Sequence, residues 1–137
     1  MKRYALDTGP IVALLNRKDS FHRWSRDVLD TLVPPLYTCE AVLSEACFLL
    51  RTSPTGSDSV LALVERGILQ ADFRAAENTP ALRKLMSKYR SVPMSFADAC
   101  LVKMSELDPE LSVVTLDSHF QVYRRQGRQL VPIVSPS

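Results

Sequence analysis

The chain has 137 residues, 46% of them apolar and 23% charged, and carries a net charge of +2. That length suits one domain with one core, and the composition is that of a globular protein rather than a disordered or fibrous one. No apolar run approaches the roughly 20 residues that span a bilayer, and the N-terminus reaches Asp7 too early for a secretory leader.

Taken in chain order, Tyr4 to Leu6 reads as a first strand, and Gly9-Pro10 turns the chain into a helix through Leu15, with Pro10 at its first position. Asp19 or Ser20 is expected to cap a second helix, Phe21 to Leu32, which Pro34-Pro35 ends. A short strand, Leu36 to Thr38, follows. Thr38 is expected to cap the helix Cys39 to Arg51, broken by Ser53-Pro54-Thr55-Gly56. A helix over Ser57–Arg66 stops at Gly67, and Ile68 to Ala71 is a third strand. Thr79-Pro80 opens a helix reaching Tyr89; after Pro93, Ser95 caps another that runs to Leu107 and ends at Asp108-Pro109. Ser112 to Leu116 is a strand, and an arginine-rich loop leads to a last one, Val131 to Val134. Strands alternating with helices over short links predict an α/β fold on a mostly parallel sheet. The three cysteines, Cys39, Cys47 and Cys100, lack metal-site spacing and read as buried thiols of a reducing cytoplasm.

Four acids stand in settings that should converge. Asp7 and Asp117 each follow a strand, and in parallel sheets ligands collect beyond the carboxyl ends of strands. Taken singly, either is also an ordinary turn residue. On the helix after Thr38, Val42, Ala46 and Leu49 point one way, and Glu45 falls beside Leu49, whereas Glu40, Ser44 and Arg51 share the polar face. Glu45 is thus expected at the core or its margin. Asp98, three residues after Ser95, fits a capping role as well as a ligand role. Carboxylates in apolar settings are costly to ionise without a positive partner, and no lysine or arginine stands at a comparable position. Oxygen donors without thiolate or imidazole select Mg²⁺ or Mn²⁺, and such an ion suits phosphodiester hydrolysis by in-line attack. His22 and His119 read as surface residues, His119 being close enough to Asp117 to reach a substrate. Arg83, Lys84, Lys88 and Arg90 precede Asp98, while Arg124, Arg125 and Arg128 follow Asp117. These clusters fit a solvated face equally with a surface for a polyanion.

At these residues the chain resembles the PIN-domain ribonucleases, and within them the VapC-type toxins of toxin–antitoxin pairs. The matching segments are Asp7-Thr8-Gly9-Pro10 with Ile11 to Leu15, then Ser44-Glu45-Ala46, Phe96-Ala97-Asp98-Ala99-Cys100-Leu101 and Thr115-Leu116-Asp117-Ser118-His119-Phe120. Their order and spacing cover essentially the whole chain. The resemblance implies a three-layer α/β/α sandwich over residues 1–137, with Asp7, Glu45 and Asp98 holding Mg²⁺ or Mn²⁺ and Asp117 completing the acidic centre or a second metal position. It implies supporting hydroxyls at Thr8 and Thr115, an RNA substrate, a small antitoxin partner, a homodimer and a cytoplasmic location without membrane attachment. Relatives often carry a further acid near the position of His119, so a second metal position lacks a ligand here. Arg124, Arg125 and Arg128 are expected to hold the RNA backbone, and the apolar helices around Phe48 and Val60 to form the dimer contact. Two rivals stand beside this reading. A catalytically silent PIN-like scaffold or RNA-binding domain would keep the fold without cleavage. A phosphoacceptor receiver domain needs an acidic pair after the first strand and a lysine after a late one, and neither is present.

Overall fold

The computed structural model describes residues 1–136. The chain runs β1 (Arg3–Leu6), α1 (Thr8–Leu15), α2 (His22–Asp30), β2 (Leu36–Tyr37), α3 (Glu40–Leu49), α4 (Gly56–Glu65) and β3 (Leu69–Gln70). After a 3₁₀ turn at Ala75–Glu77 come α5 (Thr79–Lys88), α6 (Phe96–Leu107), β4 (Leu111–Val114) and a second 3₁₀ turn at Ser118–Gln121. The chain closes with β5 (Arg124–Arg125), β6 (Gln129–Leu130) and β7 (Ile133–Val134).

Five strands form a parallel sheet in the order β3-β2-β1-β4-β7. Its centre is β1, paired with β4 from Arg3↔Leu111 to Leu6↔Val114. Ala5, Leu6, Val113 and Val114 are almost wholly buried, as expected for strands covered on both faces. The crossovers β1-β2-β3 step one way, and the connection to β4 then returns past β1. Right-handed crossovers therefore put α1 to α4 on one face and α5 with α6 on the other. Accordingly, α1 packs on α2, α3 and α4, while α5 packs on α6. The α/β/α sandwich expected from the sequence is the fold observed.

Several local expectations fail for identifiable reasons. Asp7 caps α1, so the helix begins two residues before Pro10. Asp19 accepts from Phe21 N at 2.9 Å, in a turn that precedes α2 instead of capping it. Thr38 is fully buried and donates its hydroxyl to Leu6 O at 2.9 Å, tying β2 to β1, so α3 starts without a side-chain cap. The arginine-rich loop is an antiparallel hairpin, β5–β6, closed by a turn in which Gln126 (φ 52°) and Gly127 (φ 80°) are both left-handed. Val60, expected at a subunit contact, lies wholly inside the core, whereas Phe48, Leu49 and Leu61 on α3 and α4 are exposed. Cys39 and Cys100 are buried free thiols and Cys47 is half-buried. Among the described residues, no helix is long and apolar enough to cross a membrane.

Candidate active site

The sheet's topological switch lies between β1 and β4, where neighbouring connections leave in opposite directions and open a crevice at the carboxyl end. An open cavity of about 610 Å³ occupies that place, lined by Asp7, Glu45, Asp98 and Asp117 together with Thr8, Ser95 and His119. All four acids singled out in the sequence thus face one space. Among the described residues, no lysine or arginine lines it.

Asp7 is positioned by both elements it joins. Its backbone N–H extends the sheet to Val114 O at 3.0 Å, and its Oδ1 accepts from Thr8 N at 2.8 Å to start α1. Its Oδ2 accepts the Thr115 hydroxyl at 2.7 Å. Thr115 Oγ1 in turn accepts from Asp117 N at 2.9 Å, so one hydroxyl sets the spacing of two acids. Gly9 allows the first turn of α1 to press on Leu116: a Cβ there would stand 3.2 Å from the leucine side chain.

The other acids are held by separate elements. Asp98 lies in the first turn of α6, where the Ser95 hydroxyl accepts from Asp98 N at 3.0 Å. Its Oδ2 accepts the Tyr123 hydroxyl at 2.7 Å. Glu45 Oε1 accepts the Thr8 hydroxyl at 2.7 Å. Glu45 is exposed at the mouth of the cavity, with Leu49 beside it, so of the two expected settings it takes the margin and not the core. Asp117 is half-exposed, and His119 Nδ1 stands 3.3 Å from its Oδ1.

Burial makes this arrangement electrostatically tense. Asp7 is 6% exposed and Asp98 8%. Loss of hydration pushes the Asp7 carboxyl up to about 7, against the opposing bonds from Thr115 and Thr8 and with added repulsion from Asp98 and Asp117. Asp98 is raised for the same leading reason, with the Tyr123 bond opposing and Asp117 and Glu45 adding repulsion. Desolvation and the Asp98 carboxylate hold the Tyr123 phenol far above its ordinary value, so it remains a donor.

The donor set fits a hard divalent cation. It consists of carboxylate and hydroxyl oxygens, and two of its acids are buried without a positive partner to offset them. Among the described residues no group of three or more His, Cys, Asp or Glu side chains stands in a geometry that could hold a metal ion. Mg²⁺, which keeps several of its waters when bound by one or two carboxylates, does not require such a group.

The arginines go elsewhere. Arg124 donates from one nitrogen to the carbonyls of Gln121, Val122 and Tyr123, closing the second 3₁₀ turn. Arg125 donates to Ser105 O at 2.9 Å and Pro109 O at 3.4 Å, fastening the hairpin to the end of α6. Arg128 is exposed at the hairpin turn. Lys84 and Lys88 line a separate cavity with Glu106 and Arg124. His22 is bonded to Ala13 O at 2.8 Å, on the far end of α1 from the acids. Tyr123 was not among the residues the sequence singled out; its spacing of three from Phe120 was the available signal, and nothing local tied it to Asp98.

A parallel α/β/α domain with an acidic cavity at its switch point defines the class. The family profile of the PIN domain matches residues 4–126, and the chain belongs to that family. Among solved structures the chain is similar to the toxin VapC20 of Mycobacterium tuberculosis, described as cleaving the sarcin–ricin loop. The TM-score is 0.76 at 20% identity, covering 87% of this chain and 93% of that one. The likeness establishes a shared fold. No curated protein matches the chain.

Proposed function

We propose that this chain is a Mg²⁺- or Mn²⁺-dependent endoribonuclease, the toxin of a toxin–antitoxin pair. The observation that carries the reading is the convergence of Asp7, Glu45, Asp98 and Asp117 on one cavity without a lysine or arginine among them. The shared fold with a toxin described as cleaving the sarcin–ricin loop supports it. Asp7, Glu45 and Asp98 would hold the ion and Asp117 would complete the acidic centre. Thr8 keeps Glu45 turned toward the cavity and Thr115 keeps Asp7 in place. The bound ion would supply positive charge to offset the carboxylates and to stabilise the developing charge on a phosphodiester. Water attacks phosphorus in line with the 3′-oxygen, the P–O3′ bond breaks, and the 3′-oxygen takes up a proton, leaving 5′-phosphate and 3′-hydroxyl ends. His119, on the cavity rim beside Asp117, would touch the RNA.

The reading carries its partners with it: structured RNA, a small antitoxin covering the cavity, a second copy of the chain, and a cytoplasmic setting. Of the three arginines that follow Asp117, Arg128 is the exposed one that would meet the RNA backbone. The test is incubation of a sarcin–ricin-loop oligonucleotide and total ribosomal RNA with the protein in Mn²⁺ or in EDTA, beside Asp7→Asn and Asp98→Asn. Cleavage by wild type alone, only with metal, and with 5′-phosphate product ends supports the proposal. Equal cleavage by both variants refutes the site assignment, and RNA binding without cleavage at any metal concentration favours the scaffold reading.

A further inference from the structure

We propose that Tyr123 is a positioning residue for the acidic centre: its hydroxyl fixes the Asp98 carboxylate in the orientation that receives the divalent cation. This role rests on the metal-dependent reading above. Tyr123 is wholly buried, and a buried phenol must find an acceptor for its O–H. That acceptor is Asp98 Oδ2, at 2.7 Å across 25 residues of sequence.

The ring itself is held on two sides. Phe120 meets it edge-on with centroids 5.2 Å apart, and Tyr89 does so at 5.1 Å. The Tyr89 contact is made by its ring, which phenylalanine would keep, while its hydroxyl accepts separately from Arg124 N at 2.9 Å. The donor that reaches Asp98 is therefore rigid, which a hydroxyl on a mobile side chain would not be.

Set beside the two threonines, the pattern is regular. Glu45 takes a hydroxyl from Thr8, Asp7 takes one from Thr115, and Asp98 takes one from Tyr123. A carboxylate held by one oxygen has its plane fixed before the ion arrives, so less orientational freedom is lost on binding. Outer partners of this kind commonly govern ion affinity by about 10- to 100-fold. The three clamps come from α1, from the end of β4 and from the residue preceding β5, so the ligand set registers the docking of all three segments.

The experiment measures Mn²⁺ affinity directly, from the electron paramagnetic resonance signal of free Mn²⁺, with no substrate present. Wild type is compared with Tyr123→Phe and Tyr89→Phe, which each delete one hydroxyl from the same aromatic cluster, while far-ultraviolet circular dichroism and melting in EDTA verify folding. The expected result is affinity weakened about 10-fold in Tyr123→Phe and unchanged within about twofold in Tyr89→Phe, whose hydroxyl touches no acid. Equal affinity in wild type and Tyr123→Phe, or equal weakening in both variants, overturns the positioning role while leaving the metal centre intact. A wild-type chain that takes up no Mn²⁺ overturns the metal reading and this role together. If Tyr123→Phe does not fold, the phenolic proton of Tyr123 is followed by nuclear magnetic resonance in wild type. It should shift on Mg²⁺ addition while that of Tyr89 stays in place, and an unmoved Tyr123 resonance refutes the proposal.

Discussion

Replacing Asp7 by asparagine should make the metal-free protein more stable above neutral pH, although it removes a central group of the site. The folded chain raises the Asp7 carboxyl from 3.8 to about 7, so between those values the native state keeps a proton that the unfolded chain has released. Stability then falls as pH rises, by about 1.4 kcal/mol per unit, reaching roughly 4 kcal/mol by neutrality. Asparagine carries no charge to desolvate, and its Oδ1 can still accept from Thr8 N. Its amide faces the Thr115 hydroxyl that donated to Oδ2, and losing that bond costs about 1–2 kcal/mol. The expected net gain is about 2–3 kcal/mol at pH 8, or a melting temperature higher by roughly 6–12 °C for a chain of this size. The assay is thermal melting in EDTA from pH 5 to 8. Wild type should lose stability across that range, and Asp7→Asn should lose less, with the raised Asp98 leaving a residual slope. Adding Mn²⁺ should raise the wild-type melting temperature by mass action and leave the variant's nearly unchanged. A variant that melts below wild type at pH 8 in EDTA, or a wild type whose melting is flat from pH 5 to 8, would refute the reasoning.

Other expectations follow from single contacts. Thr115→Val deletes the donor to Asp7 and the acceptor for Asp117 N, and should cost about 2–3 kcal/mol in urea unfolding while weakening Mn²⁺ binding; wild-type values on both measures would count against the shared-hydroxyl role. Gly56→Ala would place a Cβ 2.3 Å from Leu50 O, and equilibrium unfolding should show a loss of about 2–4 kcal/mol from the forced shift between α3 and α4. Arg125→Ala should lower stability by about 1–2 kcal/mol through lost bonds to Ser105 O and Pro109 O, whereas Arg128→Ala should leave melting unchanged and lower RNA affinity in filter binding. The reverse assignment between the two arginines would contradict their placement. Phe48→Glu should shift light scattering from dimer to monomer if the exposed apolar side of α3 is where two copies meet; an unaltered mass would move the contact elsewhere.

The sheet and its acids were legible because each depends on short-range pattern. A strand followed by Asp7, and another followed within a turn by Asp117, need only parallel pairing to share an edge. Glu45 could be assigned to a helix face by 100° spacing, yet periodicity does not fix how far a side chain at a margin is exposed, and Leu49 proved to line the cavity. Thr38 was misread because a hydroxyl before a helix has two partners in competition, and the neighbouring strand's carbonyl won. The β5–β6 hairpin is two residues per strand and strongly polar, too short for alternation to register. Tyr123 stayed invisible for a related reason: its partner is 25 residues away, on a helix whose own capping already accounted for Asp98.

The pairing of β1 with β4 joins Arg3 to Leu111 at the heart of the sheet. The strand that leads into Asp7 therefore has its β4 neighbour more than a hundred residues further along the chain. Half-made chains emerging from a ribosome hold at most a scattered subset of the acids, with nothing to gather them. The acidic cavity comes into being only once β4 has docked and Asp117 has joined the three acids that precede it in the chain.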